Sequence, residues 1–159
     1  HHDPFSKGEL FEEWLAHYQH GTLILNVKEE GLEDHLLKLM SRFGIKDFFF
    51  LDQSFPFLRK TASLGEFRCA VRISEYEHIE TALSLSGMVK WAWIDCFTRF
   101  PLTHKDAKKL QENGFKLCFV SPELQGRTDR SQVIEFRSEI ESKNIKGDAV
   151  CTKYPDLWV

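Results

Sequence analysis

The chain has 159 residues, 42% of them hydrophobic and 28% charged, which suits one packed domain over residues 1–159 and hardly two. Its 21 Lys and Arg residues against 24 Asp and Glu give a formal net charge of −3, which argues against a broad nucleic-acid-binding surface. No apolar stretch approaches the roughly 20 residues of a membrane span, and the four cysteines, which form no Cys-x-x-Cys pair, favour reduced thiols and a cytoplasmic location.

Apolar runs of strand length alternate with amphipathic stretches of helical length along the whole chain. An opening helix is predicted over residues 9–19 and a closing helix over residues 129–143. The predicted strands cover residues 22–27, 47–51, 67–73, 89–96, 115–120 and 148–151. Among the helices between them, Ser74-x-x-Glu77 is expected to cap one and Thr103 another. Gly44 and Gly87 are expected to end helices, because glycine readily takes the left-handed conformation found there.

Six strands that are separated by helices predict an α/β fold with parallel pairing and right-handed crossovers. Two architectures fit this pattern, an open doubly wound sheet and part of a (βα)₈ barrel of the TIM type. No glycine-rich phosphate-binding motif follows any strand, which removes the best evidence for a dinucleotide-binding fold. A barrel needs eight strands, so the second architecture requires two further βα units before these six.

Ligands bind at the carboxyl ends of the strands in both architectures. Asn26 and Lys28 lie two residues apart on the first strand, so their side chains share a face. Lys and Arg residues recur at the carboxyl ends of the later strands, and a rim of such positive charges suits a phosphate-bearing ligand. The alternative is that these are ordinary solvated loop residues. The candidate phosphate-binding residues are Lys28, Ser54, Arg72, Arg99, Arg127 and Lys153.

Four short motifs follow one another in a recognisable order. They are His2-Asp3-Pro4, the Asn-Val-Lys of residues 26–28, the Gln-Ser-Phe of residues 53–55, and the stretch 147–156, which ends Thr-Lys-Tyr-Pro-Asp. This order resembles the glycerophosphodiester phosphodiesterase family, within the phosphatidylinositol-phospholipase-C-like barrels. That family carries a His-Asp motif, a Glu-x-Lys motif, a Ser-Phe strand end and a last strand with Thr-Asp-x-Pro. The resemblance implies that the chain supplies about strands three to eight of a barrel.

The resemblance also implies an activity, the hydrolysis of a small glycerophosphodiester to a phosphomonoester and an alcohol. The family uses a divalent metal, here expected to be Mg²⁺ or Ca²⁺, and two histidines as acid and base. By position, His2 would be one catalytic histidine and Lys28 a catalytic cation beside the phosphate. Asn26 would be a metal ligand where the family has glutamate, and Glu123 could offer a displaced carboxylate.

These departures leave a second hypothesis open. The amide of Asn26 can ligate a hard cation but brings no charge, and Lys153 replaces an acidic residue of the family. The alternative to an enzyme is therefore a barrel that has lost its metal carboxylate and acts as a phosphate-ligand binding module. The residue pattern determines neither the alcohol group, nor the metal, nor the oligomeric state.

Overall fold

A computed structural model describes residues 7–159 as alternating strands and helices. The strands are β1 Leu23–Asn26, β2 Phe48–Leu51, β3 Ala70–Ile73, β4 Trp91–Ile94, β5 Lys116–Val120 and β6 Ala149–Cys151. The helices are α1 Phe11–Leu15, α2 Glu33–Arg42, α3 Phe55–Ser63, α4 Ile79–Leu83, α5 His104–Glu112 and α6 Arg130–Ser142. Short 3₁₀ turns cover Pro122–Gln125 and Pro155–Leu157. Every predicted strand is confirmed within a few residues, whereas α1 is shorter than the helix expected over residues 9–19.

All the strand pairs are parallel, and neighbouring strands follow one another in chain order. β1 and β2 form one sheet and β3 to β6 a second. In the described part of the chain, one bridge, between Phe50 and Cys69, links the two sheets. The Phe50 amide donates to the Arg68 carbonyl beside it, at 2.8 Å. The α/β class with parallel strands is therefore confirmed. A closed barrel is not, because within residues 7–159 β1 pairs only with β2 and β6 only with β5.

The two faces of the strands pack differently. Residues that alternate along each strand, such as Leu25 and Val71, form a large buried cluster to which all six helices contribute. The opposite faces form a second cluster, in which the Phe49 and Trp91 rings stack with centroids 4.7 Å apart. Among the described residues, no helix side chain belongs to this second buried cluster. The helices thus cover one face of the strands, and the side chains on the other face pack against one another.

The helix ends confirm one predicted cap and correct another. Thr103 and Asp106 form a reciprocal capping box at the start of α5, as the sequence predicts for Thr103. The Ser74–Glu77 prediction is wrong, because α4 begins at Ile79 with His78 as its N-cap. The Ser74 hydroxyl does donate to the Glu77 carboxylate, at 2.7 Å, but within a turn that precedes the helix, and the same carboxylate pairs with Arg72. None of the helices that the structure describes is long and apolar enough to cross a bilayer.

Candidate functional site

A chain of alternating charges crosses the carboxyl ends of β1, β2 and β3. The Lys28 ammonium donates a hydrogen bond to Asp52 Oδ2. Arg72 Nη1 lies 3.9 Å from Asp52 Oδ1, and Arg72 Nε donates to both carboxylate oxygens of Glu77, at 2.8 and 2.9 Å. Asp52 therefore lies between two cations that come from different strands.

Local backbone structure explains this arrangement. Leu25 and Val27 face the helix-side core, so strand alternation puts Asn26 and Lys28 on the opposite face. Asp52 directly follows β2 with a φ of 61°, a left-handed conformation that aspartate tolerates better than most residues. Asn26 lies opposite Leu51 in the β1–β2 register, and its side chain is exposed.

A cleft of about 730 Å³ opens beside these charges. Three of the predicted phosphate-binding residues line it together, namely Lys28, Ser54 and Arg72. The Ser54 hydroxyl is buried and has no hydrogen-bond partner in the part of the chain that the structure describes. Because a buried polar group without a partner costs free energy, this hydroxyl is suited to hydrogen-bond a ligand.

Asp95 is a further carboxylate at the carboxyl end of a strand, and it is not among the site residues predicted from the sequence. It directly follows β4 and is 4% exposed. Its Oδ1 accepts hydrogen bonds from the Gln125 side chain, at 2.5 Å, and from the Cys96 amide, at 3.0 Å. Burial raises the pKa of Asp95, against the opposing effect of these hydrogen bonds and of Arg72. Its position at a strand end was the available signal, and the other carboxylates at the strand ends share that signal.

Arg99 lies apart from Lys28, in a neighbouring cavity of about 330 Å³ that Ser74 and Glu77 also line. The loop that contains Arg99 is held by Glu75. The Glu75 carboxylate accepts hydrogen bonds from the amides of Phe97, Thr98 and Arg99, at 3.2, 2.6 and 2.7 Å. Partial burial raises the pKa of Glu75, but these hydrogen bonds lower it to about 2.

Glu123, Arg127 and Lys153 surround the ends of β5 and β6, and none of them lines the 730 Å³ cleft. Glu123 is 3% exposed. Its Oε1 accepts from the Thr152 hydroxyl at 2.6 Å and from the Lys153 amide at 2.7 Å. Burial raises the pKa of Glu123, and these hydrogen bonds contribute to lowering it below its ordinary value. Arg127 Nη2 donates to the carbonyl of Cys96. These three residues thus brace neighbouring loops.

The expected divalent metal does not fit the donors that residues 7–159 provide. No group of three or more His, Cys, Asp or Glu side chains in this range could hold a metal ion. Asn26 offers only a neutral amide, and one oxygen of Glu123 already binds Thr152 and Lys153. His2, the predicted catalytic histidine, lies outside the described residues.

Comparisons of the chain with protein-family models, with curated proteins and with solved structures find no match. What the chain does must therefore be inferred from its own residues.

Proposed function

We propose that the chain forms the larger part of a (βα)₈ barrel that binds a small phosphodiester where its strands end. Sequential parallel order supports the barrel, since a doubly wound sheet reverses its order and carries helices on both faces. The helices cover one face only, and the large side chains of Phe49, Trp91 and Trp93 fill the other. A face of strands packed with bulky side chains is typical of a barrel interior.

The observation that carries the phosphate assignment is the convergence of Lys28 and Arg72 on Asp52 beside the 730 Å³ cleft. An ammonium and a guanidinium stabilise phosphoryl oxygens through charge-assisted hydrogen bonds. Among the described residues, Arg72 hydrogen-bonds Glu77 through Nε alone, and its Nη1 lies 3.9 Å from Asp52 Oδ1, which leaves Nη2 for a ligand. The Ser54 hydroxyl, which has no hydrogen-bond partner within residues 7–159, supplies a further donor.

The reaction we propose is hydrolysis of a glycerophosphodiester, on the strength of the motif resemblance. Water adds to phosphorus, the bond from phosphorus to the alcohol oxygen breaks, and that oxygen takes up a proton. Lys28 and Arg72 would stabilise the negative charge on the phosphoryl oxygens as the bond breaks. His2 would move the proton, since an imidazole titrates near neutral pH. The cysteines, all free in the structure, support a cytoplasmic location as part of the same proposal.

A second function, phosphate-ligand binding without turnover, is favoured by Asn26 and Glu123. The first residue has no charge, and the second is hydrogen-bonded to residues at the end of β6. A protein with this donor set keeps the phosphate-binding cations and lacks the charge that a hard metal prefers.

Assay of the protein with glycerophosphodiesters in the presence of Mg²⁺ or Ca²⁺ separates the two functions. Release of a phosphomonoester that falls on Lys28→Met substitution supports the enzyme. Saturable binding of the same compounds without product supports the binding module. If the protein neither binds nor hydrolyses these compounds, both proposed functions are contradicted.

A further inference from the structure

The 730 Å³ cleft exists because two neighbouring strands separate. The other neighbouring strands pair over three or four residues. Within residues 7–159, the one backbone bridge between β2 and the β3 segment is that of Phe50 with Cys69, which directly precedes β3. The residues beyond it line the cleft from both sides, among them Leu51 on β2 and Val71 on β3. The space between the two carboxyl ends is therefore open where a regular sheet would be closed.

This cleft is larger than a phosphate group requires. Its volume of about 730 Å³ falls within the range of about 300–1,000 Å³ that holds drug-sized ligands. A phosphate at Lys28 and Arg72 would occupy only part of it, so the rest of the cleft contacts the group attached to the phosphate.

Two of the side chains that line the cleft are exposed aromatic rings. Phe55, the first residue of α3, is 46% exposed, and Tyr76 is 77% exposed, and both line the cleft. The Tyr76 ring packs on Phe97 with centroids 6.0 Å apart, which holds it at the rim. Large exposed aromatic side chains beside a polar centre are typical of a surface that binds an apolar group.

The charges of the cleft limit the ligand further. Lys28 and Arg72 are each paired with a carboxylate, Asp52 and Glu77 respectively, so these four side chains are neutral in sum. A multiply charged ligand such as a polyphosphate would find no net positive charge among these side chains to balance its own charge. A phosphodiester carries a single negative charge and avoids most of that cost.

We propose that the cleft takes an amphiphilic phosphodiester, with its phosphate at Lys28 and Arg72 and an alkyl chain against Phe55 and Tyr76. This inference rests on the proposed phosphate site and names the class of its ligand. The ligand binds as a single molecule, with its alkyl chain in the gap between β2 and β3, and not as part of a lipid bilayer.

Calorimetric titration of the protein with ethyl, hexyl and decyl phosphocholine tests the inference, since these probes share one phosphodiester and differ in alkyl length. Each methylene that becomes fully buried should raise the affinity about fourfold. Phe55→Ala and Tyr76→Ala should each reduce the gain in affinity per methylene between ethyl and decyl phosphocholine. Phe67→Ala is the matched control, because Phe67 is 52% exposed and lies outside the cleft. Lys28→Met should weaken all the probes by the same factor.

The outcomes separate this inference from the proposed function. Failure of every probe to bind, ethyl phosphocholine included, overturns the phosphate site itself. Binding that depends on Lys28 but does not tighten with alkyl length overturns the amphiphile alone. A gain with alkyl length that persists in Phe55→Ala and Tyr76→Ala also overturns it. Binding seen only with phosphatidylcholine vesicles would assign the aromatic side chains to a membrane surface and overturn the single-molecule cleft.

Discussion

The ion pair between Lys28 and Asp52 joins the loops that follow β1 and β2. The Lys28 side chain is 53% exposed and that of Asp52 only 21%. An ion pair this open to solvent adds little to folding stability. Its consequence is positional, since it directs the ammonium toward the cleft that Arg72 also lines.

Replacement of Lys28 by Met should weaken phosphate-ligand binding by about 1–3 kcal/mol, the scale of a hydrogen bond to a charged group. Folding should stay intact because the ammonium lies at the surface. Calorimetry with a glycerophosphodiester measures the change. Lys38→Met is the control, since Lys38 forms a similar exposed pair with Asp34 within α2. Equal affinity of Lys28→Met and wild type would assign Lys28 to the solvated rim.

Asn26→Glu should tighten Mg²⁺ or Ca²⁺ binding and raise phosphodiesterase turnover if the protein is a weakened enzyme. The substitution adds a carboxylate at the end of β1, on the face shared with Lys28, and hard cations prefer charged oxygen ligands. Metal titration of wild type and variant measures the effect. Asn26→Gln keeps the amide and should change neither quantity. Tight metal binding by the wild type that Asn26→Glu leaves unimproved would show that Asn26 is not the defect.

The Glu75 carboxylate should make folding stability depend on pH in the acid range. Its pKa in the folded protein, about 2, lies below the ordinary value of 4.5. The stabilisation is therefore fully present above about pH 4.5 and is lost as the pH falls toward 2. Glu75→Gln should lower the melting temperature at neutral pH, and the difference from wild type should shrink on acidification.

The control for this acid dependence is Glu80→Gln. Glu80 forms an exposed ion pair with Lys109, so its loss should matter little at any pH. Thermal melts across the pH range provide the comparison. A constant difference between wild type and Glu75→Gln would refute the ionic role of Glu75.

Gly147→Ala should destabilise the fold by about 1–3 kcal/mol, the usual cost of overpacking a core. A Cβ atom at this position would lie 2.5 Å from a ring carbon of Phe119. That ring is buried and packs edge-to-face against Phe100, so it has little room to move. Urea unfolding measures the change. Gly21→Ala is the control, because nothing lies within 4 Å of its added Cβ, and comparable losses from both variants would contradict the steric explanation.

Much of the fold was predictable because it depends on local patterns. Alternating apolar runs predict the strands, and Thr103 predicts a helix start that the structure confirms. The Ser74–Glu77 motif shows the limit of such patterns. The sequence spacing fits a capping box, but Arg72 offers Glu77 a charge-assisted partner from a neighbouring strand position. An ion pair of that kind depends on how the chain turns, which spacing alone does not specify.

Hydrophobic periodicity predicts the order of strands and helices, and with it the strand ends at which polar residues gather. Which of those residues meet depends on how the strands pack together in three dimensions. It brings Lys28, Ser54 and Arg72 to one cleft and leaves Arg99, Glu123, Arg127 and Lys153 elsewhere. The physical reason is the separation of β2 from β3 beyond Phe50, together with the left-handed turn at Asp52. Both features arise from long-range packing between strands, which no local pattern in the sequence records.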